Sequence, residues 1–255
     1  MHVKLKKKFG QNFLVDKNIL RKISNLIPIE FKNIIEIGPG IGHLTDFILL
    51  NNLQNLILIE IDKDFIPVLE DKYNRFKNIK IINDDIMNIN LGDYSSSELI
   101  ISNLPYNISS QILVKINNLN IFKKMILMFQ KEFAERLISN KLNNLNCLIG
   151  CFYEMKKEFN ISRNCFKPVP KIESSVITFT KREESLIEFS DISLFSSFKS
   201  MIFINKRKKI STILKNNKIE FEPFENSGFR AESFSLKEFI FLFELLKPEL
   251  IDKFS

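Results

Sequence analysis

The stretch IISNLPYNISSQI, Ile100–Ile112, begins as a short apolar run and breaks at Asn103-Leu104-Pro105-Tyr106. Each of these four residues offers something to a flat ligand that carries an amine. Asn103 has a side-chain oxygen that accepts a hydrogen bond from an exocyclic amine. A residue before proline is held away from the helical region, so the Leu104 carbonyl can be fixed in one direction while Pro105 stiffens the loop. Tyr106 supplies a face on which a base can stack. Asn and Pro are also ordinary turn residues, so the four alone fit a plain turn as well as a site.

Three other features carry polar chemistry. The segment EIGPGIG places glycines at 38, 40 and 42. They allow a tight turn and close backbone approach to a ligand, with the next helix aimed at that ligand. The spacing is G-x-G-x-G, not the G-x-G-x-x-G of dinucleotide binders, and a purely structural turn is the alternative. Glu60 closes the run LILIE. A carboxylate there can accept both hydroxyls of a ribose, or it is a solvated strand-end acid like nearby Asp62 and Asp64. Asp84-Asp85 follows a third run. An acid at that point can receive an adenine amino group, or it caps a turn.

Short apolar runs alternating with helical spacing are what would bring these residues together. Strands are expected at Asn33–Ile37, Asn55–Glu60, Ile79–Ile82, Leu99–Ser102 and Met125–Phe129. Helices are expected over about 41–51, 63–76, 109–117 and 131–138. Such alternation predicts an α/β domain with a mainly parallel sheet. The polar features would then share the carboxyl edge of the sheet, where ligands bind in open α/β folds. Segments near 158–161 and 175–180 read as a closing antiparallel pair. Lys181-Arg182-Glu183-Glu184-Ser185 reads as a linker. Beyond it, 192–204, 208–216 and 236–246 have helical spacing, so a small all-helical domain is expected there. The predicted domains are 1–183 and 184–255.

Composition bounds the rest. The chain has 255 residues, 45% of them hydrophobic, enough for a sizeable core. No apolar run approaches the ~20 residues of a membrane span. The basic N-terminus lacks the apolar core of a secretory signal. Three cysteines without a C-x-x-C pair suggest reduced thiols and a cytoplasmic protein. No metal-ligand pattern is visible. The net charge of +7 favours a polyanionic partner, although a coding bias toward Lys, Asn, Ile and Phe would give the same sign. Lys4–Lys8 and Lys206–Lys209 are basic runs that would either hold phosphates or line a solvated face.

Taken in order, several motifs resemble one family. KKFGQNFL (7–14), EIGPGIGHLT (36–45), NLPYNISS (103–110), FQKEFAERL (129–137), FKPVPKIESS (166–175) and NKRKKISTIL (205–214) are similar to motifs of the ribosomal RNA adenine-N6 dimethyltransferases, most closely the small-subunit type. The resemblance runs from about Lys7 to Leu246. It implies a Rossmann-like class I S-adenosylmethionine methyltransferase domain followed by a helical domain that contacts the ribosome. The implied activity is dimethylation of two adjacent adenosines near the 3′ end of 16S rRNA, in the small subunit or its assembly intermediate, with S-adenosyl-L-methionine as cofactor. The expected enzyme is a monomer without membrane attachment.

The resemblance also implies residue roles. Gln11, Asn12 and Leu14 would contact the cofactor. Gly38 and Gly40 would line its methionine end, Glu60 would bind its ribose, and Asp85 with Ile86 would receive its adenine. Asn103 would lie between cofactor and target base, with Leu104 and Pro105 forming the catalytic turn. Phe166 would stack on the base opposite Tyr106. Three departures stand out: Asp84-Asp85 replaces the usual Gly-Asp, Asn144-Leu145-Asn146 replaces a Tyr-Gly-Arg, and Gln111 replaces a proline. Three other functions compete. A large-subunit (23S) rRNA methyltransferase conferring macrolide resistance uses the same chemistry. A non-catalytic ribosome-assembly or transcription factor can share the fold. A nicotinamide dehydrogenase is disfavoured by the glycine spacing.

Overall fold

A computed structural model of the chain describes residues 12–221 and 227–254. Gln11 and the run Lys4–Lys8 therefore lie outside the described residues. The described chain opens with β1 (Phe13–Leu14) and α1 (Lys17–Ser24). Asp16 caps α1, its carboxylate accepting the N–H groups of Asn18 and Ile19 at 2.9 and 3.0 Å.

Strand and helix then alternate: β2 (Asn33–Ile37), α2 (His43–Ile48), β3 (Asn55–Glu60), α3 (Ile66–Tyr73), β4 (Ile79–Asn83), β5 (Leu99–Asn103), α4 (Ser109–Asn117), β6 (Lys124–Gln130) and α5 (Lys131–Leu137). After α6 (Asn146–Phe152) come β7 (Tyr153–Ile161), β8 (Phe166–Lys167) and β9 (Ser174–Lys181). Seven strands form one sheet in the order β4-β3-β2-β5-β6-β9-β7. The first five of these run parallel, and β9 lies antiparallel to β6. The central strands are apolar on both faces, as strands covered on both sides must be. Ile34, Ile35, Leu56, Leu58, Leu99, Ile100 and Ile101 are all fully buried.

The strand order reverses between β2 and β5. β2 continues outward to β3 and β4, whereas β5 continues the other way to β6. A crevice opens at such a switch point, outside the carboxyl ends of the strands. Ser102 closes the sheet just below it, donating its hydroxyl to the Ile37 carbonyl at 2.6 Å. β1 and β8 form a separate two-stranded antiparallel ribbon, with Leu14 opposite Phe166.

Two compact units result. The first takes in the described residues up to Ala134 together with Met155–Lys181; the second takes in Glu135–Glu154 and the described residues from Arg182 onward. The expectation placed a single boundary at 183/184. The chain instead enters the second unit at 135, returns at 155 and leaves again after Lys181. Membership of 135–154 follows from packing: the wholly buried α6 meets α7 (Ile192–Ile204) and α9 (Leu236–Phe254). Phe195, Phe198, Phe239 and Phe243 build the core of this helical unit, with Phe195 and Phe243 edge to face at 5.1 Å. Helix α8 is Ile210–Asn216, and Lys206–Lys209 before it are exposed.

One glycine in the first unit is fixed by its surroundings. Gly42 has φ of +80°, and a Cβ there would lie 2.2 Å from the Tyr73 hydroxyl. That hydroxyl donates within the same knot, 2.9 Å from the Gly42 carbonyl and 2.8 Å from Asp46 Oδ1, while Lys72 pairs with Asp46 Oδ2 at 2.7 Å. Gly42→Ala is therefore expected to lower the melting temperature by at least ~5 °C, from left-handed strain plus the displaced ring. Tyr73→Phe in the same chain should recover part of that loss. A melting temperature unchanged by Gly42→Ala would contradict the packing described.

Candidate active site

The carboxyl edge of the sheet gathers one pocket from the ends of the three adjacent strands β3, β2 and β5 and from the N-terminal ribbon. Asn12, Phe13, Gly38, Gly40, Glu60, Ile61, Phe65 and the run Asn103–Tyr106 line it. The glycine turn leaves β2 and is drawn to β3 by the Gly38 N–H donating to the Ile59 carbonyl at 2.9 Å. Gly38 and Gly40 both have positive φ. A Cβ on Gly38 would meet nothing within 4 Å, so open space lies directly against that backbone. A Cβ on Gly40 would strike the Phe13 ring at 2.6 Å. Glycine is thus required at 40 for the ribbon to lie on the turn.

Glu60 is buried at the end of β3 and holds the turn in place. Its Oε2 accepts the Gly40 N–H at 2.9 Å and its Oε1 accepts the Asp62 N–H at 2.8 Å. Each oxygen keeps a further lone-pair direction for a ligand hydroxyl. Burial raises its pKa, opposed by the hydrogen bonds from Asp62 and Gly40.

Asn103 ends β5. Its Nδ2 donates to the Asn12 carbonyl at 3.0 Å. A carbonyl can only accept, so this bond fixes which way the amide points and leaves Oδ1 as the acceptor on offer. Leu104 is buried and Pro105 partly so; the Pro105 carbonyl accepts the Ile108 N–H at 3.2 Å, closing the turn. The partly buried Tyr106 ring forms one wall, its hydroxyl 2.6 Å from Ser174 Oγ. Burial pushes the Tyr106 pKa up, so the phenol keeps its proton.

The other expected residues lie elsewhere. Leu14 is buried in the hydrophobic core and Phe13, its neighbour on the ribbon, lines the pocket instead. Alternation along a strand sends the two side chains to opposite faces. Phe166 is paired with Leu14, is 0% exposed, and belongs to that same core. It does not line the pocket, which corrects its expected place opposite Tyr106. Asp85 is partly buried and uses Oδ1 to accept the Met87 N–H at 2.8 Å, the turn-capping alternative. Asp84 is exposed and accepts the Asp85 N–H at 2.7 Å, while Ile86 is buried. None of these three lines the pocket.

Three pocket residues had not been anticipated. Phe13 and Phe65 meet edge to face at 5.6 Å. Ile61, 42% exposed, follows Glu60. An exposed isoleucine directly after a strand-end acid was the available signal, since such a side chain can cover a planar ring.

Behind the turn lies a second buried acid. Glu36, in β2, accepts the Thr45 hydroxyl at 2.6 Å. Burial, opposed by that hydrogen bond, pushes its pKa up to about 8. The folded state then retains a proton that the unfolded chain loses above pH ~4.5. Stability is full below that value and falls as pH rises toward 8, by roughly 1.4 kcal/mol per pH unit. Glu36→Gln should flatten this slope, raising the melting temperature at pH 8 and leaving it nearly unchanged near pH 4.5. Parallel curves for the two proteins would contradict a buried neutral Glu36.

Among the described residues no cluster of three His, Cys, Asp or Glu side chains suits a metal ion. No helix among them is long and apolar enough to cross a membrane.

With this geometry in hand, known proteins place the chain. The family described as "Ribosomal RNA adenine dimethylase" matches residues 2–227. A protein of Mycoplasma mobile named "Ribosomal RNA small subunit methyltransferase A" is 40% identical over 216 residues, 83% of each chain. One of the same name from a Sulfurihydrogenibium species is 36% identical over 260 residues, covering 97% of this chain and 98% of the relative. The crystal structure of a dimethyladenosine transferase from Plasmodium falciparum superposes with a TM-score of 0.78 at 25% identity, covering 93% of this chain and 98% of that one.

Proposed function

The chain belongs to the ribosomal RNA adenine dimethylase family, and from that premise we propose that it dimethylates the N6 amines of two adjacent adenosines near the 3′ end of 16S rRNA, using S-adenosyl-L-methionine. The observation that carries the reading is the convergence of Gly38, Glu60 and Asn103–Tyr106 in one pocket at the sheet's switch point.

The pocket fits the cofactor. Gly38 leaves open space where a side chain would stand, and Glu60 offers two oxygens at the end of β3. Gly38 and Gly40 would face the methionine end, Glu60 the ribose hydroxyls, and Ile61 and Phe65 the apolar face of the adenine. Asp85 would receive the adenine amine through its second oxygen. When bound, the cofactor supplies an electrophilic methyl group on its sulfonium.

The chain's own residues act on the acceptor. Adenine N6 is a poor nucleophile because its lone pair is delocalised into the ring. Asn103 Oδ1 and the Leu104 carbonyl accept its two hydrogens, which favours a more pyramidal nitrogen and stabilises the positive charge that develops there. Holding N6 in line supplies much of the remaining rate. Tyr106 stacks on the base, worth ~1–3 kcal/mol. Its phenol remains protonated and takes no proton. The product ammonium releases its proton to solvent. The base must leave its stack to enter, which favours a single-stranded or loop target. The exposed cations Lys206–Lys209 would hold rRNA phosphates. The enzyme would act as a monomer in the cytoplasm.

Offering labelled cofactor to unmethylated small and large ribosomal subunits tests this reading. Label is expected in the small subunit. Label confined to the large subunit would overturn it.

A further inference from the structure

Tyr106 is held by more than its own loop. Its hydroxyl lies 2.6 Å from Ser174 Oγ. Ser174 is the first residue of β9 and is 0% exposed. β9 is not a neighbour of β5, because β6 lies between them. The contact therefore spans the carboxyl end of β6, where Gln130 pairs with Ser174. At the other end of the same four-residue segment, Asn103 is tied to the Asn12 carbonyl. The segment is thus pinned at both termini to elements outside its own strand.

The pairing is selective. The adjacent Ser175 uses its hydroxyl elsewhere, donating to Asn160 Oδ1 at 2.8 Å. A buried serine hydroxyl is costly unless it is hydrogen-bonded, and Ser174 meets that need at the Tyr106 phenol. A tyrosine ring has two side-chain torsions. The hydroxyl lies on the axis of the second torsion and farthest from the backbone, so a tether there fixes the first torsion and with it the direction in which the ring projects.

Building on the methyltransferase reading above, we propose that Ser174 is a positioning residue for methyl transfer: its hydroxyl fixes the direction in which the Tyr106 ring projects from the loop, so that the ring lies where the target adenine must stack to bring N6 to Asn103. Ser174 touches neither cofactor nor base. It acts through Tyr106, and its effect falls on turnover rather than on cofactor binding.

The test uses the full chain with Ser174→Ala, Ser174→Thr, Tyr106→Phe and the Ser174→Ala/Tyr106→Phe double variant, assayed on unmethylated small subunits. Ser174→Ala is expected to lower kcat roughly tenfold, the scale of one lost hydrogen bond, with KM for the cofactor within about twofold of wild type. Ser174→Thr restores most of kcat. Tyr106→Phe resembles Ser174→Ala, and the double variant is no slower than the slower single one, since both remove the same contact. Wild-type kcat in Ser174→Ala, or independent losses that multiply in the double variant, would overturn the proposal.

A substrate-free measurement separates this inference from the reading it rests on. In ring-labelled protein, the Tyr106 signals, assigned by their loss in Tyr106→Phe, should shift or broaden in Ser174→Ala. Unchanged signals would overturn the clamp. A wild-type chain that methylates neither subunit would instead overturn the rRNA reading.

Discussion

Asn103→Ala is expected to abolish methyl transfer, by at least ~100-fold in kcat, the scale for removing a preorganised group that meets developing charge. The reason lies in the direction of one amide. Its nitrogen is committed to the Asn12 carbonyl, so its oxygen is the side-chain acceptor that the end of β5 brings to the pocket. Alanine removes that acceptor and also releases the Asn12 carbonyl, loosening the ribbon over the glycine turn. Cofactor affinity should change far less, within about fivefold, because Glu60 and the glycines remain. The pair of measurements is kcat on small subunits and a calorimetric titration of the cofactor. Unchanged turnover would remove Asn103 from the mechanism. A collapse of affinity equal to the loss of kcat would reassign it to cofactor binding.

Glu60→Ala should do the reverse and strike affinity first. A ribose diol donates two hydrogen bonds to the carboxylate, each charge-assisted and worth ~1.5–3 kcal/mol. Losing both weakens cofactor binding by roughly two orders of magnitude or more. The variant also strips the Gly40 and Asp62 N–H groups of their acceptors. The glycine turn would then lose the contact that sets its distance from β3. Calorimetry on the full chain measures the effect, and an unchanged dissociation constant would exclude Glu60 from the cofactor site. With saturating cofactor, turnover should recover substantially in Glu60→Ala and not in Asn103→Ala.

Much of this site was legible in the sequence because its members end strands. Asn33–Ile37, Asn55–Glu60, Ser109–Asn117 and Ile192–Ile204 have the bounds their patterns predicted. An apolar run followed by a Gly, Glu or Asn-x-Pro marks both the strand and its carboxyl end. The ribbon of β1 and β8 was not legible, since two-residue strands carry no periodicity. That is why Leu14 and Phe166 were expected at the pocket: the motif named the segment, while alternation across the ribbon decided which side chain faced inward. Helix α1 was overlooked despite its Asp16 cap and the apolar Ile19, Leu20 and Ile23. Helix α6 is buried on all sides and shows no amphipathic period.

The limits of pattern also explain the domain boundary. The charged run at 181–185 marks the last crossing between units, but the excursion of 135–154 depends on contacts distant in sequence. Helical spacing was expected over 236–246 only, and a proline inside a helix removes a backbone hydrogen bond. Helix α9 continues through Pro248 to Phe254, with Leu246 and Leu250 buried on either side of the proline. Burial there outweighs the lost backbone hydrogen bond. In each case local sequence chemistry was right about the propensity and silent about the long-range packing that overrode it.

In the function proposed, the Asn103–Tyr106 pocket methylates N6 of two neighbouring adenosines twice each. Mass-spectrometric mapping of small-subunit rRNA after exhaustive reaction with the wild-type chain tests it most directly. N6,N6-dimethyladenosine is expected at two adjacent positions near the 3′ end, and no such product with Asn103→Ala. Methylation at any other nucleotide or ring atom, or an active Asn103→Ala variant, would contradict it.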